Sequence, residues 1–186
     1  METKIKLQVT GLTYSHVPSG AYILLLGEET GNRKLPVIIG ELETESIANV
    51  LKGVESKRPQ THDLFASFVL ASFSSLKSAL IYKFEEGIFY AKVNFVTLNE
   101  EEIITLECRT SDAVALALRF NAPIYTTEEV LEAAGVEFGE GEDLDGVTIT
   151  DEPETIEALT ESLQKAIDEE NYEQASYLRD KINQKK

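Results

Sequence analysis

The stretch IITLECRTSDAVALALRFNAPIY, residues 103–125, decides the fold because it combines a strand, a polar turn and an apolar helix in direct succession. Residues 103–108 have the composition of a strand, and residues 109–112 form a polar turn. Almost every residue in 113–120 is apolar, so this helix has no face suited to water and is predicted to be buried on most sides. Pro123 prevents the helix from continuing.

The start of this helix combines an arginine with groups that suit an anion. Thr110 or Ser111 can cap the helix, and Asp112 falls in its first turn, where the helix dipole favours a carboxylate. Arg109 precedes them and projects beside free backbone N–H groups. A guanidinium next to a helix N-terminus is a candidate phosphate site. The alternative for Arg109 is an ion pair with a nearby acid.

Length and composition bound the class of protein. The 186 residues fit one domain plus an appendage, and a domain of ~150 residues buries enough surface to be stable without disulfides. The single Cys108 indicates a reducing compartment and a small core residue rather than a metal site. The apolar run 21–26 is far shorter than the ~20 residues that span a bilayer, and no signal sequence is recognisable. We therefore expect a soluble cytoplasmic protein with no membrane contact.

The net charge of −16 is unevenly distributed along the chain. Residues 137–154 contain 8 acidic and no basic side chains, and this Gly-rich segment has the composition of a solvated linker. The preceding residues, 1–136, contain 18 acidic and 12 basic side chains and so offer no long-range attraction to a polyanion. Nucleic-acid chemistry in this domain would need a local basic group or a bound metal ion.

The first half of the chain predicts three strands before the first helix. Residues 4–10 alternate between apolar and polar, and residues 21–26 and 35–39 are short apolar runs joined by a hairpin. A helix is predicted to follow Gly40 and to run to about Leu51.

Glu43 is out of place on this first helix. At ~100° per residue it falls inside the apolar stripe, among side chains such as Ile47. A carboxylate there must be paired, metal-bound or at an interface, because burying it alone costs several kcal/mol. Both a buried pair with an arginine and a functional role remain open.

Residues 58–63 repeat the order of residues seen at the later helix start. Arg58 again precedes a residue that can cap a helix, Thr61, and Asp63 again falls in the first turn. His62 lies at the same helix start, as a candidate base or ligand or as a structural residue. The helix that follows is apolar nearly all round and is predicted to be buried like the later one.

Three further strands are predicted at residues 78–84, 88–95 and 103–108, joined by short turns that make antiparallel neighbours. A short helix is predicted at residues 128–134. Together these elements predict an α+β fold with a mixed, largely antiparallel sheet and buried helices.

An ordered set of motifs in residues 5–135 resembles the bifunctional nuclease domain family. The motifs are Leu35-Pro36-Val37-Ile38-Ile39-Gly40 with Glu43 and Ile47-Ala48, Arg58-Pro59, Thr61-His62-Asp63-Leu64, Gly87 with Phe89-Tyr90-Ala91, Arg109 with Ser111-Asp112-Ala113, and Ala122-Pro123-Ile124. The resemblance implies an α+β domain that cleaves both DNA and RNA. One departure is Thr110, where the family usually has proline.

The C-terminal residues predict a separate α-helical hairpin, because apolar residues recur at helical spacing on both sides of residues 169–171. The segment Ala166-Ile167, Glu170, Tyr172-Glu173, Ala175, Leu178-Arg179-Asp180 and Ile182 resembles the UVR motif of excision-repair proteins. The resemblance implies a protein-contact module whose contact residues are Tyr172, Ala175, Leu178, Arg179 and Ile182, and a coiled-coil dimerisation hairpin is the alternative. The predicted domains are 1–136, a linker 137–154 and the hairpin 155–186.

Two classes of function follow from these residues. In the first, the protein is a phosphodiesterase acting on DNA or RNA. Its phosphate-binding residues are Arg58, Arg109, Thr61 and Ser111, its base or ligand is His62, and Glu43, Asp63 or Asp112 positions a water or a divalent cation such as Mg²⁺. In the second, the same groups form structural ion pairs in an oligomeric binding or regulatory module. Acidity and the lack of a compact metal-binding motif favour the second class, whereas the resemblance favours the first. We expect a homo-oligomer, with another protein bound at the hairpin.

Overall fold

The first three strands of the computed structural model form an antiparallel sheet, and each of the three was predicted from the sequence. β1 (Lys4–Ser15) pairs with β2 (Ala21–Glu28), which pairs with β3 (Arg33–Ile39). β1 extends past the predicted residue 10, because β2 continues to pair with it up to residue 15.

The structure describes residues 4–15, 21–54, 56–72, 74–97 and 102–137, together with Thr160, Leu163 and Arg179. The chain divides into two compact units, Met1–Thr148 and Ile149–Lys186, and the elements named in this section belong to the first. The predicted contact residues Tyr172, Ala175, Leu178 and Ile182 lie outside the described residues, while Arg179 is helical and exposed. The hairpin and the three domain boundaries remain predictions.

A second run of antiparallel strands follows in the middle of the chain. β4 (Ser74–Glu85), β5 (Ile88–Thr97) and β6 (Ile103–Arg109) pair in succession. Glu86 and Gly87 both have positive φ, 51° and 80°, at the tight turn that joins β4 to β5. The predicted turn and all three predicted strands are confirmed.

A short strand joins the two sets into one eight-stranded sheet of order β6-β5-β4-β7-β1-β2-β3-β8. β7 (Ile124–Thr127) runs antiparallel to β1 and parallel to β4, and all other described pairs are antiparallel. β8 (Val136–Glu137) adds two residues beside β3. The prediction of a mixed, largely antiparallel sheet in an α+β fold is confirmed, although β7 and β8 were not predicted.

Four helices accompany the sheet: α1 (Glu41–Leu51), α2 (Thr61–Ala71), α3 (Thr110–Arg119) and α4 (Glu128–Ala134). α3 is the central one, with contacts to α1, α2 and four strands. Seven of its ten residues are buried, as its apolar sequence predicts. None of the helices described is long and apolar enough to cross a membrane.

The predicted burial of α2 is wrong. Within this helix only Val69 is buried, and Leu64, Phe65, Phe68 and Leu70 are exposed. The reason is that α2 packs mainly against α3 and β4, and these neighbours leave its large apolar side chains exposed. Its apolar surface therefore lacks a covering neighbour within the described residues.

The predicted helix caps are also wrong by one residue. Gln60 precedes α2 and Arg109 precedes α3 in extended conformation, so Thr61 and Thr110 are the first residues of their helices. Asp63 stabilises the start of α2 instead, because its Oδ2 accepts a hydrogen bond of 2.8 Å from the backbone N–H of Gln60.

Candidate active site

Side chains from three helices meet in one network around the start of α3. Arg109 is its centre, with Nη1 2.6 Å from Oε1 of Glu43 on α1. Its Nε and Nη2 each donate a hydrogen bond of 2.9 Å to the carboxylate of Asp112, in a bidentate pair. The expected pair between Glu43 and an arginine therefore exists, and the arginine is Arg109. Its side chain is nevertheless 67% exposed.

His62 extends the network from α2. Its Nε2 lies 3.1 Å from Oδ1 of Asp112, and its Nδ1 lies 2.9 Å from Oγ of Ser46. The hydrogen bond from His62 and the pair with Arg109 outweigh burial and lower the pKa of Asp112 to about 2. Because an ionised carboxylate can only accept, Nε2 of His62 donates the hydrogen bond to Asp112.

Ser46 was missed by the sequence analysis. It is buried on α1, one turn after Glu43, and holds the second ring nitrogen of His62. The sequence contained little indication of this role, since a serine beside an apolar stripe usually forms a hydrogen bond with the backbone of its own helix.

Asp63 lies apart from this network. Its Oδ1 accepts a hydrogen bond of 2.7 Å from Nε of Arg119, whose side chain is only 8% exposed. Burial opposes ionisation of Asp63, but the bonds from Gln60 and Arg119 outweigh it and lower the pKa of the carboxyl. Arg119 also donates to the carbonyl of Ala115 at 3.0 Å. The pair thus joins α2 to α3, and Arg119, in the last turn of a buried helix, was not singled out by the sequence analysis.

An open cleft of about 540 Å³ lies beside the network. Its lining includes Glu43, Arg109, Thr110 and Ser111, so the start of α3 borders the cleft, as does Gly40 at the start of α1. The lining also includes the apolar side chains of Ile38, Phe84, Ile88 and Phe89. The cleft thus combines an exposed guanidinium with an apolar wall.

Two of the predicted phosphate-binding residues are not part of this site. Arg58 and Thr61 are exposed, and neither lines the cleft. The structure therefore brings together Glu43, His62, Arg109 and Asp112, with Ser111 at the cleft, and leaves Arg58, Thr61 and Asp63 outside.

The hydroxyl of Thr110 is a further polar group at this place. Thr110 is buried, and its Oγ1 has no hydrogen-bond partner among the residues described. The unpaired oxygen lies at the first residue of α3, where backbone N–H groups have no intrahelical partner. Because the oxygen itself is closed off from solvent, it does not add a contact point for a ligand in the cleft.

The donor groups of the network do not form a ready site for the expected Mg²⁺. Across the described residues, no three side chains of His, Cys, Asp or Glu lie close enough together to hold a metal ion. Glu43 and Asp112 both direct oxygens at Arg109, so the guanidinium occupies the place between them.

Cys108 has the character of a structural thiol. It is partly buried at the end of β6, and burial together with the charge of Asp112 raises its pKa to about 11. Only a thiolate is an effective nucleophile, so Cys108 is not activated for catalysis.

Comparison with known proteins identifies the family of the chain. The chain belongs to the bifunctional nuclease domain family, whose domain matches residues 24–139, and a UvrB/uvrC motif matches residues 154–186. Both resemblances seen in the sequence are confirmed.

Similar proteins come from bacteria and plants. An uncharacterized protein of Mycobacterium tuberculosis is 38% identical over 158 residues, which cover 85% of this chain and 92% of that protein. Bifunctional nuclease 1 of Arabidopsis thaliana is 23% identical over 186 residues, covering 91% of this chain and 57% of the plant protein. Bifunctional nuclease 2 of the same plant is 22% identical over 185 residues, covering 90% and 56%. The chain thus spans little more than half of these plant relatives.

Proposed function

We propose that the protein is a nuclease that hydrolyses phosphodiester bonds of DNA or RNA in the cleft beside Glu43 and Arg109. The observation that carries the proposal is an exposed guanidinium held at a helix start, next to a carboxylate that faces the same cleft. The family supplies the class of reaction, and two relatives have the name bifunctional nuclease.

Arg109 is the group that binds the phosphate. A guanidinium has five N–H donors, and three of them are used in the bonds to Glu43 and Asp112. Two donors are left for phosphate oxygens. Ser111 and the backbone N–H groups at the start of α3 supply further donors at the same end of the cleft.

Glu43 is the proposed general base. Its carboxylate accepts a proton from water while the water oxygen attacks phosphorus, and the bond from phosphorus to the leaving oxygen breaks. The leaving oxygen takes a proton from solvent. Arg109 stabilises the negative charge that develops on the phosphate oxygens, which is the larger effect in most reactions of this kind.

His62 acts through Asp112 rather than on the substrate. Both of its ring nitrogens are occupied, one by Ser46 and one by Asp112. His62 is therefore a positioning residue that holds the Asp112 carboxylate, and with it the guanidinium of Arg109, in place.

The apolar wall of the cleft suits the base or sugar of a nucleotide. The rings of Phe84 and Phe89 lie 4.6 Å apart between centroids, and both side chains line the cleft. Aromatic side chains of this kind stack unpaired bases in a sequence-tolerant manner.

The test is a cleavage assay of the purified full chain on labelled single-stranded DNA and RNA, with Mg²⁺ and with EDTA. We expect Glu43→Gln and Arg109→Ala to lower the rate by about a hundredfold each, and His62→Ala by about tenfold. Arg58→Ala is the matched control, because it removes an exposed arginine outside the cleft, and should leave the rate unchanged. Cleavage that is unaffected by Glu43→Gln and His62→Ala would remove both residues from the mechanism.

A non-catalytic binding or regulatory module is the second candidate. The observation that favours it is that Glu43, Asp112 and Arg109 already satisfy one another in ion pairs, as purely structural groups would. Absence of cleavage by the wild-type chain under all assay conditions would support this candidate over the nuclease.

We propose further that the C-terminal segment recruits another protein. The UvrB/uvrC motif at residues 154–186 and the apolar residues at helical spacing support this role. A charge at one of its apolar positions, Leu178→Glu, should abolish binding to a second helical hairpin and leave cleavage unchanged. Unchanged binding would place the contact elsewhere.

A further inference from the structure

Tyr90 on β5 is an exposed aromatic side chain next to the proposed phosphate-binding residue. Its register partner on β6 is Arg109, and its register partner on β4 is Lys83. Residues directly opposite each other on antiparallel strands have Cβ atoms about 4.5–5.5 Å apart on the same face of the sheet. The side chain of Tyr90 is therefore flanked by two cations, one of which is the exposed guanidinium that lines the cleft.

The preceding residue, Phe89, presents its ring to the opposite side of the sheet. Successive side chains of a strand alternate between the two faces, so Phe89 and Tyr90 point in opposite directions. Phe89 lines the cleft, with its ring 4.6 Å from that of Phe84, whereas Tyr90 lies outside the lining. Arg109 adjoins both places, because it lines the cleft and is the register partner of Tyr90. One guanidinium thus has an aromatic ring near it on each side of the sheet.

The ring of Tyr90 is accessible to a ligand. The residue is 37% exposed, and Nζ of Lys83 lies 5.2 Å from the centre of the ring, within the range of a cation–π contact. Lys83 also forms an exposed ion pair of 2.7 Å with Glu85. Exposed pairs of this kind are weak and leave a lysine side chain free to move. Lys83 therefore orients the ring of Tyr90 without blocking it.

The strand ends around Tyr90 are neutral overall, in a chain that carries −16. Residues 82–92 and 107–109 contain three basic and three acidic side chains, which are Lys83, Lys92, Arg109, Glu85, Glu86 and Glu107. A neutral surface neither repels a nucleic acid nor attracts it over a distance. The group that this surface offers to a ligand is the aromatic ring, which stacks any base because every base has a π-face.

We propose that Tyr90 stacks an unpaired nucleobase next to the phosphate that Arg109 binds, and that the substrate is therefore a single-stranded nucleic acid. The inference rests on the proposed function, since Arg109 is taken as the phosphate-binding group. A phosphate in a strand joins two nucleosides. With that phosphate at Arg109, one base lies in the cleft against Phe84 and Phe89, and the base on the other side lies against Tyr90.

This arrangement explains why a single strand is required. Two bases that lie on opposite sides of the sheet are not stacked on each other and cannot both remain in a duplex. Proteins hold bases splayed apart in this way in single strands, loops and ends, where the bases are not paired. The stacking is independent of the sequence, so Tyr90 selects for an unpaired strand and not for a particular base.

The test is the binding of two labelled oligomers to the full chain, measured by fluorescence anisotropy in the Glu43→Gln background so that bound strands stay intact. One oligomer has about ten thymidines, and the other has the same number of phosphates but abasic sugars throughout. We expect Tyr90→Ala to raise the dissociation constant of the thymidine oligomer about tenfold and to leave that of the abasic oligomer unchanged. The dependence of binding on salt should stay the same, because no phosphate contact is lost.

Two further variants serve as controls. Tyr90→Phe keeps the ring and should change the affinity for thymidine oligomers by less than about twofold. Phe68→Ala removes another exposed ring, on α2 and outside the cleft, and should have no effect on either oligomer. A duplex of the thymidine oligomer with its complement should bind at least about tenfold more weakly than the single strand.

The outcomes separate this inference from the nuclease proposal. An equal effect of Tyr90→Ala on both oligomers, or no effect on either, would overturn the stacking at Tyr90, as would equal affinity for duplex and single strand. A wild-type chain that cuts nucleic acid with such results would still be a nuclease. A chain that cuts nothing, but loses base-dependent affinity only when the ring of Tyr90 is removed, would refute the nuclease and support the stacking.

Discussion

At the scale of single residues, Asp112 is the group on which the candidate site depends. It accepts hydrogen bonds from His62 and from two nitrogens, Nε and Nη2, on one edge of the Arg109 guanidinium, and its carboxylate stays ionised because its pKa is lowered to about 2. Removing this carboxylate would free both the guanidinium of Arg109, which lines the cleft, and the ring of His62 on α2. The consequences are measurable in stability as well as in activity.

Asp112 should make stability depend on acid pH. The folded-state pKa lies below the unfolded value of 3.8, so its contribution is complete above the unfolded value and disappears as the pH falls through about 2. The free energy of unfolding should be about 2 kcal/mol lower in Asp112→Asn than in the wild type at about pH 6. Denaturant unfolding should show this gap closing toward about pH 2. A difference in unfolding free energy that stays constant with pH would contradict the pairing of Asp112 with Arg109 and His62.

Gly40 is needed for the position of Glu43. A Cβ at Gly40 would lie 2.6 Å from Oε2 of Glu43, so Gly40→Ala should push the carboxylate away from Arg109. The displaced atom is the end of a flexible side chain, and φ of −80° suits alanine, so unfolding free energy should change by less than about 1 kcal/mol. Cleavage should nevertheless fall as far as in Glu43→Gln. Full activity with an unchanged melting temperature would show that Glu43 does not act from its observed place.

At the scale of elements, local patterns predicted more of the fold than of the site. α3 was predicted because its apolar sequence and the proline that stops it, Pro123, lie within one short stretch. The β4–β5 hairpin was predicted because the residues of its turn lie directly between the two strands. The exposure of α2 could not be predicted, since it depends on which distant segment lies beside the helix. β7 was missed because it has four residues and pairs only with strands far away in the sequence.

In the candidate site too, contacts between residues close in sequence were easier to predict than contacts between distant residues. The pairing of Arg109 with Asp112 spans three residues and lies in one turn, whereas His62 reaches Asp112 across fifty residues. The partner of Asp63 was unpredictable for the same reason, since Arg119 is 56 residues away. Residue types indicated which side chains needed partners but not which partners they would find.

The pair of Asp63 with Arg119 should stabilise the packing of α2 on α3 without any part in cleavage. Asp63→Asn leaves a buried guanidinium without its counter-charge and should lower the free energy of unfolding by about 3 kcal/mol. The cleavage rate at a temperature where the variant is folded should match that of the wild type. Glu85→Gln, which breaks the exposed pair with Lys83, is the control and should cost less than about 1 kcal/mol. A large loss of activity in Asp63→Asn would assign this residue to the reaction after all.

At the scale of the whole molecule, charge limits how nucleic acid can bind. The chain carries −16 in total, and Arg109 is the exposed guanidinium that lines the cleft. Binding should therefore involve few phosphates and depend weakly on long-range attraction. Recognition then depends on contacts inside the cleft and not on a basic surface.

The salt dependence of binding should reflect this small number of phosphate contacts. With one or two phosphates neutralised, the logarithm of the association constant for single-stranded DNA should fall against the logarithm of salt concentration with a slope of about −1. Fluorescence anisotropy at several salt concentrations measures it. Arg109→Ala should bring the slope near zero and Arg58→Ala should not change it, whereas a slope of about −4 would require a basic surface elsewhere.

The position of β7 has a consequence for the order of assembly during translation. β1 to β3 and β4 to β6 can each form from consecutive residues, but the one strand that touches both sets is made after all of them. The nascent polypeptide consequently cannot join the two sets of strands into one sheet until residue 127 has left the ribosome. α1 and α3 can pack together before then, but the facing edges of β1 and β4 stay unpaired and accessible to chaperones.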